Sequence, residues 1–510
     1  VALGAAAGAS GLLAACSSGS SPATSPSAAS VKPKRGGNLK VGLTGGSSSD
    51  SIDPHKGVTY LDFSRDNMLY DPLVLLNAQA QLEYKLAESI TPNNGTLSEW
   101  VIRLRPGVTF HSGKNLTADD VIFSFRRILT GSGNGKVALG PVDPKGLKAL
   151  DQHTVLVPMT SPFGSFVDQL ASFFVFLYIV PSSWSAAKPD GTGPFVYQSF
   201  TPGQRSVFTR NPHYWKTGLP YADTLTIIDF ADTTSLVDAL VTGQVHAAGT
   251  LDGPQMATLA NTSGVRALPS VTGGIIPFTM RVDRPPFNDV NVRQAMRLLV
   301  DRPQLIASAL GGYGTLASDV FSPYDPDFDS SLHRAQDIAQ AKFLLKQAGH
   351  EKLTVPLTTS VITTGTVAMA TVFAEQAAAA GVTIRLQNVP SGTFFGPNYL
   401  QWTFSQDYYP YSPYLAQVAY SMLPTSPFNE THTNNARQNS LYKHANATAN
   451  SGLRKEILHE MQLFDFKEGG YIIPAFVDSL DAYSAKIGGY TKARVDEPLS
   501  NFEYGRFYFV

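Results

Sequence analysis

Two stretches of the chain repeat one grammar, and that repetition narrows the fold more than any other feature. Residues 225–230 form an apolar run of strand length. Leu236, Val237, Leu240 and Val241 follow at helical spacing, Gly243 stops the helix, and residues 245–249 return as a strand. The order recurs as strand 353–359, helix 367–380, a stop at Gly381 and strand 382–389. Strands joined through a helix pair in parallel, with a right-handed crossover. Two such units predict two sheets, and so an α/β protein of two lobes with an inserted region. The remaining periodicity fits that frame. Leu39, Val41 and Leu43 alternate as a strand does, and residues 100–105 give another strand, ending at Pro106-Gly107. Thr117 is expected to cap a helix, with Asp119 and Asp120 in its positive first turn. Val121, Phe125 and Ile128 give that helix an apolar face, and the glycine-rich residues 131–135 stop it. Val292, Ala295, Met296, Leu299 and Val300 mark a further helix. Ala335, Ile338, Lys342 and Leu345 mark a weaker one, closed by Gly349.

Composition removes whole classes of function. A chain of 510 residues has room for about three folding units. Lys and Arg number 39 against 40 Asp and Glu, so no basic tract for duplex nucleic acid exists. A single cysteine excludes an internal disulfide framework and a thiolate zinc cluster. No apolar run of about 20 residues is present to form a membrane-spanning helix. Enzyme motifs are missing too. Gly131-Ser132-Gly133-Asn134-Gly135-Lys136 lacks the spacing, and the Ser or Thr after Lys136, that a nucleotide-phosphate loop needs, so it reads as a turn. The ten histidines form no H-E-x-x-H zinc helix, and no G-x-S-x-G nucleophile elbow occurs. A pair of carboxylates suited to sugar hydrolysis is not marked out.

The first residues are read as a processing segment. Residues 1–15 are small and apolar, like the back half of a secretory signal, so the sequence is expected to begin inside one. Leu13-Ala14-Ala15-Cys16 resembles the bacterial lipobox, in which the cysteine thiol takes a diacylglycerol and the signal is cut before it. The plainer alternative is that Cys16 is an ordinary residue of a floppy terminus. Residues 17–30 are almost wholly Ser, Ala, Gly and Pro, which cannot bury a core, so residues 16–35 read as a flexible tether. Together they describe a globular body held by lipid outside the cytoplasmic membrane.

An ordered series of short motifs then resembles the extracytoplasmic solute-binding proteins of ABC importers, the peptide- and nickel-binding family 5. It begins with Gly36-Gly37-Asn38-Leu39-Lys40-Val41, Ser51-Ile52-Asp53-Pro54-His55, Tyr70-Asp71-Pro72-Leu73-Val74 and Leu86-Ala87-Glu88-Ser89. The fullest match runs from Leu104-Arg105-Pro106-Gly107-Val108-Thr109-Phe110-His111-Ser112-Gly113-Lys114 into Leu116-Thr117-Ala118-Asp119-Asp120-Val121. Gly191-Thr192-Gly193-Pro194-Phe195, Arg210-Asn211-Pro212-His213-Tyr214-Trp215 and Pro285-Pro286-Phe287-Asn288-Asp289-Val290-Asn291-Val292-Arg293-Gln294-Ala295 complete it. The chain departs from the family at Gly243-Gln244-Val245-His246, where Gly-Glu-Ile-Asp is usual, and it matches loosely after Tyr442.

The resemblance implies a periplasmic-binding-protein-like α/β clamp of two hinged lobes around a central cleft, with an extra subdomain. Lobe I would take residues 36–75, 197–280 and 482–510, the inserted subdomain 76–196, and lobe II 281–481. A peptide would be enclosed between the lobes and passed unaltered to an ABC permease by a monomer that needs no cofactor or metal. The alternatives are the same clamp on a nickel chelate, an oligosaccharide or an opine-like amine, and, more remotely, a surface hydrolase on this fold.

The resemblance also places the candidate site. An enclosed α-amine needs a carboxylate, because an unpaired buried charge is very costly. In peptide-binding members that carboxylate follows a Trp-containing stretch on the second lobe. Here the place is held by Gln401-Trp402-Thr403-Phe404-Ser405-Gln406-Asp407-Tyr408-Tyr409-Pro410. Asp407 is expected to pair with a ligand amine; a surface turn suits the residue equally well. Trp402, Phe404, Tyr408 and Tyr409 are candidate cleft walls, although Trp402 and Phe404 fit a strand core as well. Thr250, the Thr272-Gly273-Gly274 stretch and Phe476 fall where family members touch ligand, and glycines there allow close backbone approach. Arg385 is a candidate carboxylate partner, but the alternation of Val382, Ile384 and Leu386 places it as readily on a solvated face.

Overall fold

The computed structural model describes residues 33–172 and 176–510. The leader, Cys16 and most of the tether lie outside the described residues. The core of the first lobe is an eight-stranded mixed sheet. Its order is Val265–Ile275, Ala475–Ser484, Ala247–Ala248, Asn38–Thr44, Thr224–Phe230, Arg205–Arg210, Phe195–Thr201, with Gly314–Leu316 added beside Ala475–Ser484. Asn38–Thr44 is central and runs parallel to both of its neighbours. Its Leu39, Val41 and Leu43 are buried, as the alternation predicts.

The first strand–helix–strand unit is therefore split. Its strands Thr224–Phe230 and Ala247–Ala248 are parallel, but Asn38–Thr44 sits between them. The connecting helix Thr233–Val241 is capped by Asp232, whose carboxylate accepts from Ser235 N–H at 2.8 Å, and it buries Leu236, Ala239 and Leu240. Gly42 leaves the room: a Cβ there would run into Leu236 and the Phe230 ring. The expected strand 245–249 is shorter than its apolar run. Val245 N–H turns back to the Ala239 carbonyl at 3.1 Å and belongs to the helix end.

The second unit follows the simpler pattern. Thr354–Thr359 and Thr383–Asn388 pair directly in parallel, joined by helix Thr366–Ala378 and the left-handed Gly381. Helices Val290–Leu298 and Ile338–Gln347 pack on this lobe. A three-stranded sheet of Phe404–Gln406, Phe278–Met280 and Tyr471–Ile472 lines its inner side. The inserted region carries a four-stranded antiparallel sheet, Ala87–Pro92, Glu99–Leu104, Thr154–Pro158 and Lys148–Asp151, with helix Ala118–Thr130. At that helix start Thr117 is the N-cap, as expected, and Asp120 closes the capping box. Thr117 donates from both its N–H (3.0 Å) and its hydroxyl (2.9 Å) to Asp120, whose buried carboxylate also takes the Lys114 ammonium.

Candidate functional site

Two adjacent passages join the lobes. Val265–Ile275 leaves the large sheet through Ile276-Pro277 and continues as Phe278–Met280. Tyr471–Ile472 returns through Ile473-Pro474 into Ala475–Ser484, so residues 475–481 lie in the large sheet. The passages run side by side, with Ile275 opposite Phe476 and Phe278 opposite Ile472. Proline in each breaks the ladder between the two sheets, because it lacks an N–H.

The segment carrying Asp407 is laid along this ribbon. Phe404–Gln406 pairs with Phe278–Met280, Asp407 N–H donates to the Pro277 carbonyl at 3.2 Å, and Ile275 and Tyr409 exchange backbone bonds of 2.9 and 3.0 Å. Asp407 is only 4 % exposed. Its Oδ2 accepts from the Tyr399 hydroxyl at 2.7 Å and its Oδ1 from Tyr408 N–H at 2.8 Å. It also shares a hydrogen bond with Glu430, which in turn accepts from the Tyr471 hydroxyl at 2.7 Å and from that of Tyr409. Among the described residues no Lys or Arg is paired with either carboxyl. Burial pushes both groups up, and the Asp407 charge pushes Glu430 further. Two touching carboxyls do not both ionise. Their shared hydrogen bond lowers Asp407 and raises Glu430, so the proton between them rests on Glu430 and Asp407 accepts the bond, with further donors on each of its oxygens.

Tyr408 faces the other lobe. Its ring centroid lies 6.5 Å from that of Tyr60, the first residue of helix Tyr60–Leu69. Burial and the Asp407 charge push the Tyr408 hydroxyl up to about 12. The Tyr60 hydroxyl donates to the Asp496 carbonyl at 3.4 Å. Around it lobe I gathers further carboxyls. Asp481 comes from strand Ala475–Ser484 and is pushed up to about 7 by burial. Glu497 is pushed up to about 8 by the same cause. Asp496 is raised further, by burial and then by its acidic neighbours.

The remaining candidates scatter. Phe404 is in the lobe II core, 5.0 Å from the Phe287 ring. Trp402 is half-buried, stacked on Phe394, with its indole N–H on the Phe394 carbonyl at 3.2 Å. Tyr409 is buried behind Asp407, against Glu430. Thr272 donates to the Val477 carbonyl at 2.6 Å and accepts from Gly274 N–H at 2.9 Å, bracing the crossing. Gly273 donates to the Arg494 carbonyl at 2.9 Å, and a Cβ on it would meet the Tyr411 ring. Thr250 holds a left-handed φ of 60° at the lobe boundary, where Thr364 of lobe II donates to its carbonyl at 3.4 Å. Phe476 is buried beside Ile275 in the ribbon. Arg385 is on an exposed strand face. His246, in the departing motif, accepts from Lys40 N–H at 3.0 Å, with its ring against Phe509.

Glu430, Tyr399, Tyr60, Asp481, Asp496 and Glu497 carry no local sequence signal, because they reach the site from several segments far apart in the chain. The glycine-rich residues 131–135 end helix Ala118–Thr130 and line a pocket of about 160 Å³ beside the Arg127–Asp53 ion pair. Among the described residues no three His, Cys, Asp or Glu side chains are grouped to hold a metal ion, and no helix is long and apolar enough to cross a membrane.

Two lobes on a narrow ribbon, with side chains of both meeting beside it, define a clamp for a solute. The chain belongs to the bacterial extracellular solute-binding proteins, family 5, whose middle-region model matches residues 81–440. The family anticipated from the ordered motifs is thus the family of the chain. It is 27% identical over 312 residues to the glutathione-binding protein GsiB of Escherichia coli O1:K1, covering 60% of each chain. It is 27% identical over 348 residues to the oligopeptide-binding protein AppA of Bacillus subtilis, covering 65% of this chain and 61% of that one. The matched stretch thus spans about 60% of the curated relatives' length. Among solved structures, the binding protein AgaA of A. tumefaciens R10, in complex with agropinic acid, superposes with a TM-score of 0.81 at 21% identity, covering 93% of this chain and 99% of that one. At that identity the likeness speaks for the fold.

Proposed function

We propose that this protein is the receptor of an ABC importer, which closes its two lobes on a short peptide and delivers it unaltered to a membrane permease. Lipid at Cys16 would moor it on the extracytoplasmic face, and it would act as a monomer. The observation that carries the reading is the Asp407–Glu430 pair. A buried anion beside the hinge, without a basic partner, is suited to a ligand ammonium. The amine would take the anion's free lone pair while Tyr60 and Tyr408 cover it from either lobe. AppA and GsiB, named for oligopeptide and glutathione, support peptides as the cargo. A second reading, the same clamp on a non-peptide amine, is favoured by the likeness to AgaA with its agropinic acid.

Calorimetry with Ala-Ala-Ala and its N-acetylated form tests the proposal. The free amine should bind at least about tenfold more tightly, the equivalent of about 1.4 kcal/mol, and Asp407→Asn should abolish the difference. Equal affinity for the two peptides, or binding of neither by folded protein, would overturn it.

A further inference from the structure

A second group of carboxyls lies on the lobe I side of the Tyr60–Tyr408 contact, and the amine role leaves it unused. Asp481 lies on strand Ala475–Ser484, while Asp496 and Glu497 lie on the C-terminal segment that returns beside it. Asp496 is in electrostatic reach of both Asp481 and Glu497, all three act on the Tyr60 hydroxyl, and the charge of Asp496 extends to Tyr408. The chain makes space for them: a Cβ on Gly274, at the lobe crossing, would collide with the Asp496 carboxylate.

An independent observation shows that the group is incomplete. Asp481 is 2 % exposed and Glu497 6 % exposed, yet Oδ1 of the first and Oε2 of the second have no hydrogen-bond partner. Asp481 fixes its other oxygen on Leu499 N–H at 2.8 Å. Among the described residues none of the three forms an ion pair; the nearby Lys492 acts on Asp478 at the rim. A buried oxygen without a partner needs a donor, and burial keeps these carboxyls protonated until a cation takes the protons' place. The peptide cargo proposed above would supply that cation as an ammonium or guanidinium.

We infer that Asp481, Asp496 and Glu497 form a second cation station, and that the preferred ligand is a short peptide bearing a lysine- or arginine-type side chain besides its free amine. The inference rests on the proposed peptide-binding role and assigns it a substrate class. The amine goes to Asp407 on lobe II and the side-chain cation to lobe I, with the Tyr60 and Tyr408 rings between them. A ligand with both charges touches both lobes.

The test compares Ala-Lys-Ala with the same peptide acetylated on the lysine side chain, by calorimetry at pH 7 in two buffers of different ionisation enthalpy. Acetylation removes the side-chain charge and leaves the amine. Ala-Lys-Ala should bind at least tenfold more tightly and release more protons, because the station gives up protons as it takes the cation. Asp496→Asn and Glu497→Gln, made singly, should each shrink that ratio to about twofold while leaving the acetylated peptide's affinity in place. An unchanged ratio in both variants, or equal affinity in the parent, overturns the second station and leaves the amine site standing. Binding of neither peptide overturns both.

Discussion

At the scale of single residues the molecule is defined by acids kept out of water. Asp465 shows the effect away from the cleft. It accepts from the Tyr414 hydroxyl at 2.5 Å and from the Gln438 amide at 2.9 Å, and burial pushes it up to about 7. Unfolded, the same carboxyl ionises near 3.8. Between those values the folded chain holds a proton that the unfolded chain has lost. Stability from this group is full below the lower value and is lost as pH rises through the upper one, an effect of at most about 4 kcal/mol. Asp481 and Glu497, pushed up to about 7 and about 8, act in the same direction. Glu83 acts oppositely: against its own burial, Lys85 and Lys216 hold it down to about 2, so its contribution disappears only in strong acid. The melting temperature should therefore peak near pH 4, where the gain from Glu83 gives way to the losses from the raised acids, and fall toward pH 8. Asp465→Asn should flatten the fall in a calorimetric scan. A profile that is flat or rising between those pH values contradicts the account. Such acids are illegible in a sequence. Asp407 could be picked out because the family resemblance implies a carboxylate after the Trp-containing stretch, whereas Glu430 sits in a polar stretch, Asn429 to Thr433, that reads as any surface loop.

At the scale of elements, one short strand decides which candidate residues face the cleft. Phe404–Gln406 pairs with Phe278–Met280, and this sends Phe404 into a cluster with Phe278, Phe287 and Phe373. Three residues on, Asp407 and Tyr408 have left the ladder for the hinge. Phe404→Ala should lower the unfolding free energy by about 3–5 kcal/mol, read from urea midpoints, and change Ala-Lys-Ala affinity less than about twofold where the variant is folded. Tyr408→Ala should do the reverse: affinity falls by about tenfold, and stability changes by about 1 kcal/mol or less. If Phe404→Ala weakens binding as much as Tyr408→Ala does, the division between core and cleft is wrong. The sequence pattern supplies the alternation but not the register against a distant partner. The same shortfall appears in the first strand–helix–strand unit. Its helix and both strands are recognisable from period and glycine stops, yet Asn38–Thr44 lies between the strands. A strand nearly two hundred residues upstream leaves no mark on the local pattern.

At the scale of the whole molecule, the two-lobed plan was legible because two crossover units cannot share one small sheet, and because the order of motifs is that of the family. The return of the chain was less legible: Ala475–Ser484 joins the first lobe only because the long strand Val265–Ile275 is there to pair with it. That return creates the hinge, since Ile276-Pro277 and Ile473-Pro474 are then neighbouring passages with no ladder between the sheets. It also sets carboxyls of one sign on both faces: Asp407 and Glu430 on one, Asp481, Asp496 and Glu497 on the other. Burial keeps Glu430 and the lobe I acids protonated, and a cation between them lets them ionise, so a ligand shifts the balance by its differential affinity for the closed form. Two consequences are measurable by solution scattering. Saturating Ala-Lys-Ala should shrink the radius of gyration, and the acetylated peptide should shrink it less. Superimposable curves with and without Ala-Lys-Ala, at a concentration where calorimetry shows it bound, would mean that the lobes do not move and that the carboxyls meet their ligand in a rigid groove.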